Sequence, residues 1–277
     1  MKRHEDASNR DRVTAKRREF INWLKVCDPS TNHNKARNLH EPGTGTWFIN
    51  SQDFIKWRDK KTCSLWLQGN PRAGKTILCS TIIEEVQKFC ALRSGYRCIY
   101  FYFDFSDEQK QDVDNFLRSV IVQLFENLQD IPNEVQSLYD ECNGNQPSHD
   151  ALIKTLVSLL KSSNYTYILI DALDECCERS DMAKLLSQLI LPSDSINVLI
   201  TSRKEQDIIS ELQSHIEVVK CMENAKIDTD VEIYIQKRLD TDRTLRRCLP
   251  MREEVTQVLV EGANGMYIYV CVFIIDL

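Results

Sequence analysis

The segment Gly69–Thr76 reads G-N-P-R-A-G-K-T and lies between a short apolar run, Leu65–Leu67, and an amphipathic stretch that starts at Lys75. A G-x-x-x-x-G-K-[ST] pattern constrains the fold because each position has a geometric task. The loop must curl so that successive backbone N–H groups converge on phosphate oxygens, and glycine keeps side chains out of that path. The following helix points the positive end of its dipole at the same anion. Lys75 is then placed to reach the β- and γ-phosphates, and the Thr76 hydroxyl to ligate Mg²⁺. The candidate nucleotide-binding residues are therefore Gly69, Asn70, Pro71, Arg72, Ala73, Gly74, Lys75, Thr76 and Ile77.

Around this motif strands alternate with helices. Strands are expected at Ser64–Gln68, Arg97–Phe105, Tyr165–Ile170, Ile196–Thr201 and His215–Val219. Helices are expected at Ser51–Lys60, Lys75–Phe89, Asp112–Leu128, Pro132–Asp140, His149–Leu160 and Asp181–Leu191. Such alternation implies parallel pairing with helices on both faces of the sheet. The chain before Asp28 has helical periodicity in Val13, Phe20, Ile21 and Leu24, Pro29 interrupts it, and Asn32–Gly45 reads as loop. After Cys221 the rhythm becomes helical, with Asp230–Leu239, Arg252–Val260 and a further helix from Met266, punctuated by Gly262 and Gly265. The fold expected is an α/β P-loop NTPase with a central parallel sheet flanked by helices, plus a C-terminal partial helical subdomain. The division expected is an N-terminal helix or linker over 1–27, a nucleotide-binding domain over 28–221 and the helical subdomain over 222–277.

A phosphate loop needs an acidic partner. Tyr165–Ile170 is an apolar strand that runs into D-A-L-D-E at Asp171–Glu175. A carboxylate at the C-terminal edge of a parallel strand can hold magnesium, which makes Asp171 and Thr76 the candidate metal ligands. Asp174 or Glu175 would then orient or deprotonate the attacking water. The bland alternative is that these acids cap the next helix. Asn197–Thr201 is a further apolar strand ending at Arg203, whose guanidinium either stabilises the γ-phosphate or simply faces solvent.

Composition narrows the function classes. A net charge of −6 gives no basic footprint for nucleic acid. The eleven cysteines contain no C-x-x-C pair and no secretory signal opens the chain, so a reducing, cytoplasmic setting is expected. The apolar run Met266–Ile275 is too short to span a bilayer.

With these elements placed, the sequence resembles the NACHT-type module of signal-transducing (STAND) ATPases, nearest to fungal NOD-like proteins and the related nephrocystin-like N-terminal module. The residues that carry the resemblance are the phosphate loop, His40–Phe48 (H-E-P-G-T-G-T-W-F), Tyr102–Ser106, Ile168–Cys176, Val198–Glu205 and Gly265–Tyr269. It implies an additional-strand sheet, with the strand leading to Arg203 lying between those of the phosphate loop and Asp171. It also implies that Gly43–Trp47 lies toward the nucleotide base, although Trp47 serves equally well as a core anchor. Asp171 matches the family's magnesium acid and Arg203 its sensor position, with Asp174 and Glu175 completing a D-x-x-D-E variant. The family's loop often carries more glycine than Pro71–Arg72–Ala73, and its winged helix and repeats are not seen here, so the chain reads as a partial module. The function implied is a slow ATP/ADP-binding regulatory switch with Mg²⁺, which works by self-association or through effector and repeat partners. A freely cycling ATPase and a nucleotide-binding scaffold that never cycles are the alternatives.

Overall fold

The computed structural model describes residues 2–61, 63–190, 195–242, 245–263 and 266. Helix α1 (Lys2–Leu24) is followed by α2 (Ser30–Leu39), α3 (Thr46–Ile49) and α4 (Gln52–Asp59). The α/β alternation then runs β1 (Ser64–Gln68), α5 (Lys75–Ala91), β2 (Tyr96–Tyr102), α6 (Val113–Phe125), α7 (Asn133–Cys142), α8 (His149–Ser162) and β3 (Tyr165–Asp171). It closes with α9 (Arg179–Ile190), β4 (Ile196–Ser202), α10 (Gln206–Leu212) and β5 (Val218–Cys221), before α11 (Asn224–Thr241) and α12 (Arg252–Ala263).

The five strands form one parallel sheet in the order β2-β3-β4-β1-β5. β4 thus separates β1 from β3, the insertion expected of an additional-strand P-loop NTPase. β1, β3 and β4 are buried at every position, as strands covered on both faces must be. Side chains alternate between two cores. Trp66, Phe101, Ile168 and Val198 pack on one face with α1, α6, α8 and α9. Leu65, Leu67, Tyr167 and Leu199 pack on the other with α4 and α5. Phe20 and Leu24 at the end of α1 are fully buried in the first core.

One buried side chain locks the segment before β1 to the sheet. Asn197 accepts from the Cys63 amide at 2.7 Å and the Tyr165 hydroxyl at 3.0 Å, and its amide donates to the carbonyls of Trp57 and Lys60. A third apolar cluster lies apart from the sheet: Ile227, Val231, Tyr234 and Ile235 of α11 pack with Leu245, Leu259 and Ala263. Ala73 of the phosphate loop belongs to this cluster, so the loop touches the helical unit directly. Among the described residues no helix is long and apolar enough to cross a membrane.

Several local expectations need correction. Asn32–Gly45 is not all loop, because α2 covers Ser30–Leu39. Pro29 starts this helix rather than breaking one, as fits a residue with no N–H to satisfy, and Asp28 accepts from the Ser30 amide at 2.8 Å. The last strand is Val218–Cys221, not His215–Val219, because the Ser64 hydroxyl intercepts the chain first, accepting from the Glu217 amide and donating to the His215 carbonyl. β2 ends at Tyr102, three residues before Phe105. α10 was not foreseen, and Gly262 lies inside α12 instead of ending it. The expected helix from Met266, with Gly265, falls outside the described residues apart from Met266 itself.

Candidate functional site

Three parallel strands end on the same edge of the sheet, and their C-terminal extensions build the site. β1 delivers the loop Gly69–Gly74. Its entry is tied to β4, where the Gly69 amide donates to the Ser202 carbonyl at 3.2 Å. Gly74 has φ = 87°, a left-handed conformation that glycine adopts without steric cost, and it caps α5. Arg72 adopts φ = 65° with a full side chain, so this loop holds backbone strain where a glycine would relieve it. Lys75 bends back over the loop, donating to the carbonyls of Gly69 at 2.8 Å and Asn70 at 2.9 Å. Burial lowers its pKa, while the nearby carboxylates of Asp174 and Asp171 oppose that shift.

β3 delivers the acids. Asp171 is buried, with one carboxylate oxygen accepting from the Thr201 hydroxyl at 2.6 Å. Desolvation raises its pKa, against hydrogen bonds from Thr201 and Thr76 and the charge of Lys75. Thr76 is among the groups that lower the pKa of Asp171, so the two residues singled out as metal ligands lie near each other. Among the described residues no group of three or more His, Cys, Asp or Glu side chains converges as a metal cage. A hydroxyl and a carboxylate are the donor set for a hard cation that takes its other ligands from water and phosphate. The chain turns sharply at Ala172, φ = 55°, whose amide donates to Thr201 at 3.1 Å.

Past that turn the two remaining acids separate. Asp174 is committed to Arg203: one oxygen accepts from the Arg203 amide and the other pairs with its Nε, both at 3.0 Å. The Asp174 side chain is only 5% exposed while Arg203 is 44% exposed, so the acid is the anchor and the guanidinium the reachable end. Glu175 turns the other way and accepts from the Phe105 amide at 3.0 Å. Burial raises the pKa of Glu175, the Phe105 N–H lowers it, and Asp174, Asp171 and Asp104 raise it further. β4 supports this edge from beneath, because the Trp66 indole of β1 donates to the Ser202 hydroxyl at 2.8 Å.

The site is closed partly by His40 and Glu41, from the His40–Phe48 motif, and partly by Tyr234 and Arg238, which the sequence did not single out. A cavity of about 450 Å³ is lined by Arg72, Lys75, Thr76, Asp174, Glu175 and Arg203 on the core side, by Asn38–Glu41, and by Tyr234 and Arg238 of α11. Arg238 donates through Nε to the Tyr234 hydroxyl at 3.1 Å. One turn earlier on the same face, Asp230 accepts from the Gly45 amide at 3.0 Å and the Trp47 indole at 2.9 Å. Asp230, Tyr234 and Arg238 recur every four residues, and that spacing marks one helix face. Gly45 sits at φ = 74°, and a Cβ there would come within 3.0 Å of Leu78 of α5. Trp47 packs beside Phe48 in the second core, so it is an anchor that also latches α11. Thr44 and Gly45 line a smaller pocket with Gly74, Ile77 and Ile227, adjoining the main cavity at His40.

A parallel sheet with β4 inserted between the phosphate-loop strand and the acidic strand defines a P-loop NTPase fold. Residues 43–203 match the family model "Nephrocystin 3, N-terminal", and the chain belongs to that family. It is 26% identical over 265 residues to the vegetative incompatibility protein HET-E-1 of Podospora anserina. That alignment takes in 89% of this chain and 19% of HET-E-1, so the chain spans about a fifth of that relative's length. Among solved structures, the ADP form of the Aeropyrum pernix ORC2 protein superposes with a TM-score of 0.49 at 15% identity, over 80% of this chain and 58% of that one. A Walker-type ATPase of Pyrococcus abyssi gives a TM-score of 0.47 at 11% identity, over 78% and 63% of the two chains.

Proposed function

We propose that the chain is an ATP/ADP-binding regulatory switch with slow, Mg²⁺-dependent hydrolysis. The observation that carries this reading is the shared cavity, whose walls come from the phosphate-loop edge of the sheet and from α11 of the helical unit. A nucleotide lodged there touches both bodies, so adding or removing one phosphate changes how strongly they are held together. A ligand shifts such an equilibrium only by its differential affinity for the two arrangements.

In this reading Gly69–Ile77 binds the phosphates, with Lys75 leaving its two loop carbonyls for phosphate oxygens. Thr76 and Asp171 would hold Mg²⁺, which when bound neutralises charge on the phosphate oxygens. Glu175 takes the proton of the attacking water. Asp174 holds Arg203, whose exposed guanidinium meets the γ-phosphate. The engagement of both Asp174 oxygens by Arg203 favours Glu175 over Asp174 as the base. The downstream step, self-association or engagement of effector and repeat segments, follows from the switch reading and the family resemblance.

The test is calorimetric titration of ADP and ATP, with and without Mg²⁺, into the wild type, Lys75→Ala and Asp171→Asn. The expected result is weakened binding in the first variant and loss of the Mg²⁺ dependence in the second. Wild-type affinity and Mg²⁺ dependence in both variants would overturn the proposal.

A further inference from the structure

The motif Tyr102–Ser106 carries part of the family resemblance, yet none of its side chains enters the site as described. The structure shows where this segment goes. After β2 the Phe103 amide donates to the Asp171 carbonyl at 3.1 Å, which holds the chain one residue further against β3. Phe105 then presents its amide to Glu175 at 3.0 Å. Phe105 is 73% exposed, so burial of its side chain does not fix that amide in place. The amide must be held by other means.

Gln111 supplies them. Its Nε2 donates to the Phe105 carbonyl at 2.8 Å, and its Oε1 accepts from the Cys177 thiol at 3.0 Å. The Gln111 backbone carbonyl also accepts from the Cys177 amide at 3.0 Å. One residue therefore spans two strand-edge loops, the one that donates to Glu175 and the one that carries Glu175 two positions before Cys177. Asp104 braces the same turn: one of its oxygens accepts from the Ser106 amide and hydroxyl, and the other from the Asn32 side chain at 2.8 Å.

We infer that Gln111 is a positioning residue for Glu175, fixing the distance between the Phe105 N–H and the carboxylate so that one carboxylate oxygen is held and the other is aimed into the cavity. This inference rests on the reading of Glu175 as the base. A carboxylate on a loosely held turn samples many rotamers, whereas one oxygen pinned by a fixed amide leaves a single direction for the other. The role is distinct from binding, because Gln111 lies outside the lining of the cavity.

The experiment measures kcat and KM for Mg²⁺–ATP hydrolysis in the wild type, Gln111→Leu, Glu175→Gln and the double variant. Gln111→Leu shortens the side chain by one heavy atom and removes all three of its hydrogen bonds, to the carbonyls of Asp104 and Phe105 and from the Cys177 thiol. The expected result is a fall in kcat of about tenfold, the worth of one well-placed hydrogen bond to a charged group, with KM unchanged. In the Glu175→Gln background the same substitution should change nothing further, because the group it positions is already disabled. A Gln111→Leu protein with wild-type kcat, or one that slows the Glu175→Gln enzyme by the same factor, would overturn the inference while leaving Glu175 as the base. Equal rates in the wild type and Glu175→Gln would instead remove the reading of Glu175 on which it rests. Asp104→Asn, which weakens the same turn from the α2 side, provides a second variant if Gln111→Leu does not fold.

Discussion

The two walls of the cavity are built differently. On the core wall, Lys75, Thr76, Asp174 and Arg203 sit at or just past the ends of strands and a helix buried in the sheet cores, and Asp171 is buried at the end of β3. The supporting bonds link neighbouring strand ends: Thr201 to Asp171, Trp66 to Ser202 and the Gly69 amide to the Ser202 carbonyl. On the opposite wall, Tyr234 and Arg238 belong to one helix, α11, whose Asp230 lines the smaller adjoining pocket. That helix meets the core in a small apolar cluster that takes in Ala73, Ile77 and Met222, and through the two hydrogen bonds of Asp230. β5, the strand that leads to it, is an edge strand with three of its four residues exposed. The first wall is fixed by register and burial. The second is fixed by a few contacts that one ligand or one substitution can outweigh. A site with one rigid wall and one lightly held wall suits a switch better than a constitutive catalyst.

This contrast orders the expected effects of substitution. The largest belongs to Glu175→Gln, which should lower the hydrolysis rate by about a hundredfold or more while ADP binds as before. The pH dependence follows from the same residue. In the proposed role Glu175 would act as a base only when ionised, and burial raises its pKa above the ordinary glutamate range. Hydrolysis should therefore be present at neutral pH and fall as pH drops through that raised value, earlier than it would for an exposed glutamate. A pH–rate profile that is flat down to the ordinary carboxylate range would remove Glu175 from the mechanism.

Lys75→Ala should weaken ADP by about a hundredfold, through loss of a charge-assisted contact in a partly buried site. Arg238→Ala, on the lightly held wall, should weaken ATP by about tenfold or less, because a mobile helix realigns around what remains. If Arg238→Ala proved as damaging as Lys75→Ala, the two walls would be equivalent and the contrast would fail. The smallest effect on affinity belongs to Asp230→Ala. It should change ADP binding by about threefold or less while raising hydrogen exchange in Gly43–Trp47 and in α11. The sheet strands should exchange at wild-type rates in that variant.

The core wall was largely legible in the sequence and the α11 wall was not. Lys75, Thr76, Asp171 and Arg203 follow apolar runs whose strand character is plain, and parallel strands deliver their C-terminal residues to one edge. The order of the strands came from family resemblance, because periodicity alone does not say that β4 lies between β1 and β3. Asp230, Tyr234 and Arg238 carried a readable signal, a four-residue spacing on one helix. Nothing local showed that this face turns toward the phosphate loop, since that depends on Ala73 docking into the α11 cluster. α2 was missed for a physical reason as well. Its Asn-rich sequence has weak helix propensity, and its stability comes from tertiary contacts: His33 is buried with Nδ1 2.9 Å from the Tyr102 hydroxyl and Nε2 3.1 Å from Glu84. The division of labour between Asp174 and Glu175 was open in the sequence, and the engagement of both Asp174 oxygens by Arg203 is what favours Glu175 as the base in the proposed reading.

The central claim is that nucleotide joins the two walls. Hydrogen–deuterium exchange of the wild-type protein, without nucleotide and with saturating ADP–Mg²⁺ or ATP–Mg²⁺, tests it most directly. The account predicts that ADP–Mg²⁺ slows exchange both in the phosphate loop with the start of α5 and in α11 around Asp230–Arg238, and that ATP–Mg²⁺ leaves the loop protected while altering α11. Protection confined to the phosphate loop, with α11 exchanging alike in all three states, would contradict it.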